Sequence, residues 1–596
     1  MDKDLENEFE RRRQECLYLI LESDHRFKIV VAGAGTGKTY TFKQMLLRNP
    51  GENVVLTFIN NLANDMAKDL GDLAEVRTFH SYCRKLLHKL PSEGINSNFY
   101  FFPKLDQVVL SDSEVFYSKV QGNKSLPTDI YQKAFQSLIE NDGRIEFFLQ
   151  RANYYNAVGF DDSVYRVLCC FRKNPNVIPT LNQLILDEYQ DFNALEVEFI
   201  NLMEGKNPTL IVGDDDQAIY DFRYASPSYL RKKANSPNFK RFNLPFCSRC
   251  TEVIVHATNT AIQKANTLGL LAERVEKDYI CYLPDKKNDS QNYPRIVHAE
   301  CSTHNSRSPY ISMYIERAIR QIPIEEVKQS LAEGYPLALV AGPSHYLRQI
   351  YDYLKDKFPN VIYQTSPDMS LVPLDGYMCL MKDDMSNLGW RVILGTKAPE
   401  LLPRILKQNT ETNIIELIDD GFRQEHQRRL QKLHTLIQGE NSLTLPEIKE
   451  LEVYFEMPCE KIIRYINGTT QQDSEDITTA LDCDELFHND NPVVRLTTYN
   501  GCKGLSAGFT FITGLEEGTF PKHNYGLTDT EICQFIVAMT RTRKECHLVS
   551  TRNFAGNWTR PSVFLGWIPC DIRTSITVNK DYFSNPISAA NPGTPY

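Results

Sequence analysis

Residues 27–42 read FKIVVAGAGTGKTYTF. The apolar run Ile29-Val30-Val31 stops at a glycine-rich turn, and Gly37-Lys38-Thr39 then opens a segment, Thr41 to Leu47, whose apolar spacing suits a helix. The order is strand, phosphate loop, helix. Across Ala32, Gly33, Ala34, Gly35, Thr36 and Gly37 the glycines let backbone N–H groups turn inward. Lys38 can then reach outer phosphates, and the Thr39 hydroxyl can ligate Mg²⁺ at a helix N-terminus. Tyr40 completes the candidate set. The full pattern has Gly six places before the lysine, where this chain has Ala32. A plain glycine turn accounts for the glycines but not for the Lys-Thr that follows, so a nucleotide with Mg²⁺ is the expected ligand.

A chain of 596 residues has room for about three or four domains, and 42% hydrophobic with 24% charged residues is an ordinary globular balance. No apolar run reaches the roughly 18 residues that a membrane span needs, and the opening MDKDLENEFERRRQ is too charged for a secretory signal. A cytoplasmic protein with no membrane partner is expected. Fifteen cysteines lie scattered without a disulfide framework, so reduced thiols are the default. Cys247-Ser-Arg-Cys250 has no second pair at zinc-finger spacing, and no zinc is expected. A net charge of −10 gives no global reason to bind nucleic acid, so any such binding must come from a local groove. Residues 471–490 carry seven Asp or Glu and no Lys or Arg, the mark of a solvated loop. The closing SNPISAANPGTPY, and with it 571–596, reads as a disordered tail.

Upstream of the loop, Leu5 to Leu21 has helical composition and holds Gln14, whose amide offers both donor and acceptor to an adenine edge. Downstream, Val54 to Phe58 reads as a second strand, followed by Asn60, Asn61 and a helix, and then by Val76-Arg77-Thr78-Phe79-His80-Ser81 and another helix. Residues past the carboxyl ends of strands sit where open α/β sheets bind ligands, although Phe58 and Phe79 are equally open to plain core packing. After a helical stretch broken by Asn/Gly/Pro clusters, Leu184-Ile185-Leu186 runs into Asp187-Glu188-Tyr189-Gln190-Asp191. A strand ending in paired acids is the expected partner of a phosphate loop: Asp187 can hold the Mg²⁺ shell while Glu188 polarises a water for attack on a γ-phosphate. Thr209-Leu210-Ile211-Val212 then leads to Gly213-Asp214-Asp215-Asp216-Gln217 and Ile219-Tyr220-Asp221-Phe222-Arg223. A polar sensor, Gln217, thus lies close to two aromatics and an arginine. The pattern suits a link from the γ-phosphate to a base-stacking surface, with a shared core face for Tyr220 and Phe222 as the alternative.

Together these motifs resemble the UvrD/Rep/PcrA family of superfamily 1 helicases. The similarity rests on AGAGTGKT, LTFINNLANDMA, VRTFHSYC, ILDEYQDFNALE and VGDDDQAIYDFR, and, far downstream, on VRLTTYNGCKGLSAGFTFITGLEEGTFPK, FIVAMTRTRKECHLVS and RPSVFL. The resemblance implies an α/β fold of two RecA-like P-loop NTPase domains, each with an inserted mainly helical subdomain. The first domain would take 1–82 and 181–245 with an insertion at 83–180. The second would take 246–395 and 491–570 with an insertion at 396–490. ATP would bind between the domains and single-stranded DNA across their tops. By that resemblance Gln14 reads adenine, Lys38 and Thr39 meet phosphates and Mg²⁺, Asp187 and Glu188 serve metal and water, and Gln217 senses the γ-phosphate. Arg249 and Arg541 would be arginine fingers from the second domain, used only when the domains close.

The same resemblance puts Phe58, Asn60, Thr78, His80, Tyr220, Phe222 and Arg223 along the DNA path in the first domain, and Thr498 and Lys503 in the second. Three departures stand out. Ser248 replaces a tyrosine that stacks on adenine in relatives, so either Phe246 substitutes or base selectivity is loose. Asn500 stands for a histidine, and Ser506 for a glutamate that helps hold the ribose. The implied activity is an ATP-dependent helicase or translocase, 3′-to-5′, on single-stranded or tailed duplex DNA. A second reading is a helicase-like regulatory or end-sensing subunit of a Gabija-type defence or repair complex with a nuclease partner. No recognised nuclease motif follows Phe564, so the chain itself is not expected to cut DNA.

Overall fold

Strand runs such as IVVA, VVL, LIL and LIV are apolar on both faces, the composition of strands covered on both sides in a parallel sheet. In the computed structural model they form that sheet. The structure describes residues 3–58, 60–90, 94–117, 126–364, 370–408, 412–438, 443–474, 492–522 and 526–584.

The first sheet has six parallel strands, in the spatial order Glu75–Thr78, Asn53–Thr57, Gln183–Leu186, Thr209–Gly213, Phe27–Ala32, Lys240–Leu244. Val30 lies opposite Val212, and Leu186 opposite Ile211. This register sets the carboxyl ends of three central strands side by side, which brings Ala32, Gly213 and Leu186 to one edge. One face buries Val30, Phe42, Leu46, Val55 and Val212; the other buries Ile29, Val31, Leu56, Leu184 and Leu186.

The second sheet has seven parallel strands, in the order Asn360–Tyr363, Val493–Thr497, Ala338–Ala341, Ala507–Ile512, Thr542–Thr551, Ile296–Cys301, Arg573–Val578. The helix Glu252–Thr267 packs with the helices Asp529–Met539 and Val563–Trp567 over one face of this sheet.

Two sequence expectations change here. Arg573–Val578, assigned to a disordered tail, is an edge strand pairing Ile296–Cys301 from Ile296↔Arg573 to Cys301↔Val578, and the helix Lys580–Ser584 follows it. The alternation in RTSITV is that of an edge strand, with Val578 buried and Ser575 exposed, and its polar half reads as tail. Residues 585–596 and most of the acidic stretch 471–490 lie outside the described residues.

The second helical segment also begins earlier than 396. The helices Pro373–Lys382 and Asn387–Lys397 pack not on the second sheet but in one apolar core with the helices Leu105–Tyr117, Arg144–Tyr154 and Phe160–Lys173 of the first insertion. The two insertions are bolted together by buried ions: Asp112 accepts from Arg151 Nε at 2.8 Å and from Arg391 Nε at 2.7 Å. Leu388 to Leu394 are buried around the whole helix, so no polar stripe marks where the segment starts.

Candidate active site

The phosphate loop follows the strand Phe27–Ala32 and ends at Gly37, where the helix Lys38–Arg48 begins. Gly35 and Gly37 have φ of 70° and 88°, left-handed values that favour glycine. Gly35 is also demanded by space, since a Cβ there would come 2.4 Å from Cβ of Arg249. The Gly35 carbonyl accepts from the Ser248 N–H at 2.9 Å, and the Ala34 carbonyl accepts from the Tyr279 hydroxyl at 3.0 Å. Segments far along the chain thus close over the loop. Ala32, Ala34 and Thr36 are buried, the last donating to the Gly33 carbonyl at 3.0 Å; Thr39 is half-buried and Tyr40 exposed.

Lys38 pairs with Glu188 and lies 3.7 Å from Asp187 Oδ1. Glu188 sits at φ 53°, strained for a side-chain-bearing residue, and its other oxygen accepts from Gln190 Nε2 at 2.5 Å. Burial raises the Asp187 carboxyl, Lys38 opposes that, Glu188 adds to it, and the group is pushed up to about 6. Burial would raise Glu188 too, but Lys38 and Lys503 outweigh it and hold this carboxyl well below its usual range. Two adjacent acids are thereby separated into a permanently charged one and one that titrates more easily. Asp187 Oδ1 is buried without a hydrogen bond, and Thr39 stands one residue past the loop lysine. This open oxygen donor fits a Mg²⁺ ion, which Asp187 and Thr39 would hold.

Gln217 donates from Nε2 to Asp214 Oδ2 at 2.6 Å and accepts at Oε1 from Arg541 Nη2 at 2.9 Å. Arg541 follows the helix Asp529–Met539 of the second unit, so this contact spans the cleft. Burial lowers the pKa of Arg541, and the nearby charge of Arg249 adds to the lowering. Arg249 donates to the Thr540 carbonyl at 3.5 Å, beside the phosphate loop. Lys38, Asp187, Glu188, Gln217, Arg249 and Arg541 are therefore brought to one cleft. Gln14 is not: it is exposed on the helix Lys3–Leu21 and donates to Glu10 at 2.8 Å.

The aromatic residues assigned to DNA form a separate cluster. Phe58 and Tyr220 lie 5.3 Å apart with their rings tilted by 43°, Tyr220 meets Phe222 edge-on at 5.7 Å, and the Arg223 guanidinium lies 4.1 Å over Phe58. Phe222 is 56% exposed, which excludes the core alternative for it. His80 lies 3.8 Å from Asp161 and edge-on to Phe160 at 5.6 Å. Thr78 caps the helix Phe79–Leu87 and accepts from the Ser81 N–H, while Thr498 accepts from the Gly501 N–H at 3.1 Å, so both hydroxyls already serve their own backbone. Asn60 opens the helix Asn60–Leu70, and its side chain lies outside the described residues.

Lys503 needs correction. Expected on a DNA phosphate, it is buried, donating to Asp191 Oδ2 at 2.5 Å and to the Gln217 carbonyl at 2.6 Å, with Glu188 at 3.7 Å. In this closed arrangement it is an inter-domain ion pair, because the acids at the end of the strand Gln183–Leu186 leave a buried negative charge that needs a cation. Of the three departures, Asn500 accepts from Gln534 at 2.7 Å and Ser506 from Arg543 at 3.2 Å. Phe246, offered as a substitute base platform, is buried between Phe9 and Tyr282 at 5.8 and 6.1 Å.

Sequence reasoning passed over Gln190, which clamps Glu188 and accepts from the Asp214 N–H at 2.9 Å, although its place in DEYQD was legible. It also passed over Tyr279 and Lys277, which no local pattern marks.

The family model described as UvrD/REP helicase N-terminal domain matches residues 20–147 and 144–238. Among curated proteins, the ATP-dependent DNA helicase PcrA of Staphylococcus aureus (strain Mu50 / ATCC 700699) is 24% identical over 602 aligned residues, covering 88% of this chain and 80% of that protein. The ATP-dependent DNA helicase UvrD1 of Mycobacterium bovis (strain ATCC BAA-935 / AF2122/97) is 23% identical over 669 aligned residues, covering 94% and 86%. With two parallel sheets of six and seven strands, an arginine of the second unit on the loop beside the phosphate site, and relatives that span most of the chain, the chain is similar to the UvrD/Rep/PcrA helicases.

Proposed function

We propose that the protein is an ATP-driven motor on single-stranded DNA, moving 3′-to-5′, with ATP hydrolysed in the cleft between the two sheets. The observation that carries this reading is the contact of Arg541 with Gln217, which joins a second-unit arginine to the loop beside the phosphate site. An arginine that arrives only on closure makes hydrolysis depend on domain position, so hydrolysis in turn drives opening.

Phosphates entering the loop take Lys38 from Glu188, the nearest anion it now meets. Glu188, freed and charged, accepts a hydrogen bond from the attacking water, and Gln190 keeps its carboxylate turned to that side. Thr39 and Asp187 would hold Mg²⁺, which supplies charge neutralisation across the outer phosphates when bound. Arg541 and Arg249 meet the charge that develops on the transferring phosphoryl group. The Phe58, Tyr220 and Phe222 rings offer sequence-tolerant stacking to bases, as an acidic protein with few phosphate contacts requires. Tyr220 follows Gln217 by three residues and its ring lies 5.4 Å from the Lys503 ammonium, so the stacking surface and the loop beside the phosphate site share one segment.

Strand displacement on duplexes with 3′ or 5′ single-stranded tails, with ATP hydrolysis followed in parallel, tests direction and coupling together. Displacement only from 3′ tails, with DNA-stimulated hydrolysis, is the expected result. Displacement only from 5′ tails would reverse the polarity, and hydrolysis indifferent to DNA would sink the motor.

A further inference from the structure

Asp214, Asp215 and Asp216 bring three buried carboxylates close enough together to hold a cation. The cation they meet is a side chain. Lys277, on the segment between the helix Glu252–Thr267 and the strand Ile280–Cys281, sets Nζ 2.8 Å from Asp214, 3.0 Å from Asp215 and 2.7 Å from Asp216. Its side chain is 3% exposed. Arg274 adds a contact to Asp216 at 2.7 Å and Arg231 one to Asp215 at 3.0 Å, but neither arginine pairs with Asp214.

We propose that Lys277 is a positioning residue for Gln217, acting through Asp214. Asp214 divides its two oxygens. Oδ1 faces Lys277 and accepts from the Asp216 N–H at 3.1 Å; Oδ2 accepts from the Gln217 amide nitrogen at 2.6 Å. A charged carboxylate can only accept, so the Gln217 nitrogen must face it and the Gln217 oxygen must face Arg541. With Lys277 gone, Oδ1 of Asp214 loses the ammonium that fixes it, so the carboxylate is free to turn and to carry its Oδ2 contact with Gln217 out of place. A Gln217 amide no longer held on its nitrogen side can turn away from the orientation that presents its oxygen to Arg541. Lys277 and Arg541 both belong to the unit that closes over the first sheet, so the device is complete only when the cleft is shut. Burial works against a charged Lys277, and the three carboxylates more than restore it, so this ammonium stays charged throughout the working range.

The inference rests on the ATPase reading above, and the parent protein tests that reading by itself. If the parent hydrolyses no ATP, the functional reading falls, and this inference with it. With an active parent, Lys277→Met should lower kcat by about tenfold to a hundredfold, the cost of a misplaced transition-state group, while the Kd for a fluorescent ATP analogue stays close to the parent's. Arg274→Met, which strips a cation from the same acids without touching Asp214, should stay within about threefold in kcat. Should Lys277→Met melt below the assay temperature, Lys277→Gln reads the same split. An unchanged kcat, a loss of ATP binding in step with kcat, an equal loss in Arg274→Met, or failure of both Lys277 variants to fold would overturn the proposal.

Discussion

Arg541 donates from Nη2 to Oε1 of Gln217 at 2.9 Å across the cleft between the two sheets. The two residues are far apart in sequence, Gln217 just after the strand Thr209–Gly213 of the first sheet and Arg541 just before the strand Thr542–Thr551 of the second, so the bond exists only while the two sheets are apposed. Arg541→Ala and Arg249→Ala should each cost roughly 10³- to 10⁵-fold in kcat, with nucleotide affinity largely kept, since finger charge acts mainly in the transition state. Steady-state hydrolysis with single-stranded DNA, beside equilibrium nucleotide binding, checks this. A variant that turns over at the parent rate removes that arginine from the role.

Glu188 is held charged by Lys38 and Lys503 and turned by Gln190. Glu188→Gln should keep ATP binding and lower hydrolysis by about 10²- to 10⁴-fold, the usual contribution of a positioned base. Lys38→Ala should abolish turnover. Single-turnover hydrolysis with Mg²⁺ reads both.

Phe222 is 56% exposed and touches Tyr220 only edge-on. Phe222→Ala should therefore weaken single-strand binding by about 1–3 kcal/mol without lowering the melting temperature. A protein that melts well below the parent yet binds DNA equally well would return Phe222 to the core.

Lys503 lies in an ion pair with Asp191, a carboxyl that burial pushes up to about 7 against the lysine's own charge. Lys503→Ala should leave the salt dependence of DNA binding unchanged, whereas loss of a phosphate contact would remove about 0.7 from the slope on single strands. Its cost should appear in stability, up to about 3–5 kcal/mol for an orphaned buried partner, read by denaturant melts.

Glu516 is fully buried, accepts from the Tyr346 hydroxyl at 2.8 Å and the Thr551 N–H at 2.6 Å, and is pushed up to about 7 by burial despite those bonds. Its folded pKa exceeds its unfolded one, so the neutral form's stabilisation is full below about 4.5 and is lost as pH rises through about 7. Relative to Glu516→Gln, the parent should lose up to about 3 kcal/mol across that window. Parallel melting curves that track each other from acid to neutral pH would refute it.

The motifs of the phosphate site were legible because each is local. A strand end, a turn and a helix start fix Lys38 and Thr39, and acids one residue past a strand fix Asp187 and Glu188. Apolar runs likewise announced strands of the first sheet, whereas the second RecA-like domain was implied only by the family resemblance. Lys503 was assigned to DNA by the family resemblance alone, and nothing local in the sequence shows that the opposite unit brings Asp191 against it. Lys277 gave no signal at all, since its three partners lie about sixty residues upstream on a different element. The start of the second helical segment was hidden for a related reason: Arg391 meets Asp112 in a core shared by two insertions, and each insertion alone shows only ordinary helices. Local chemistry, written in spacing and turn residues, was determined by the sequence on its own. Which charges meet across the cleft was decided by tertiary structure alone, because burial makes an ion's partner obligatory without making it a neighbour in the chain.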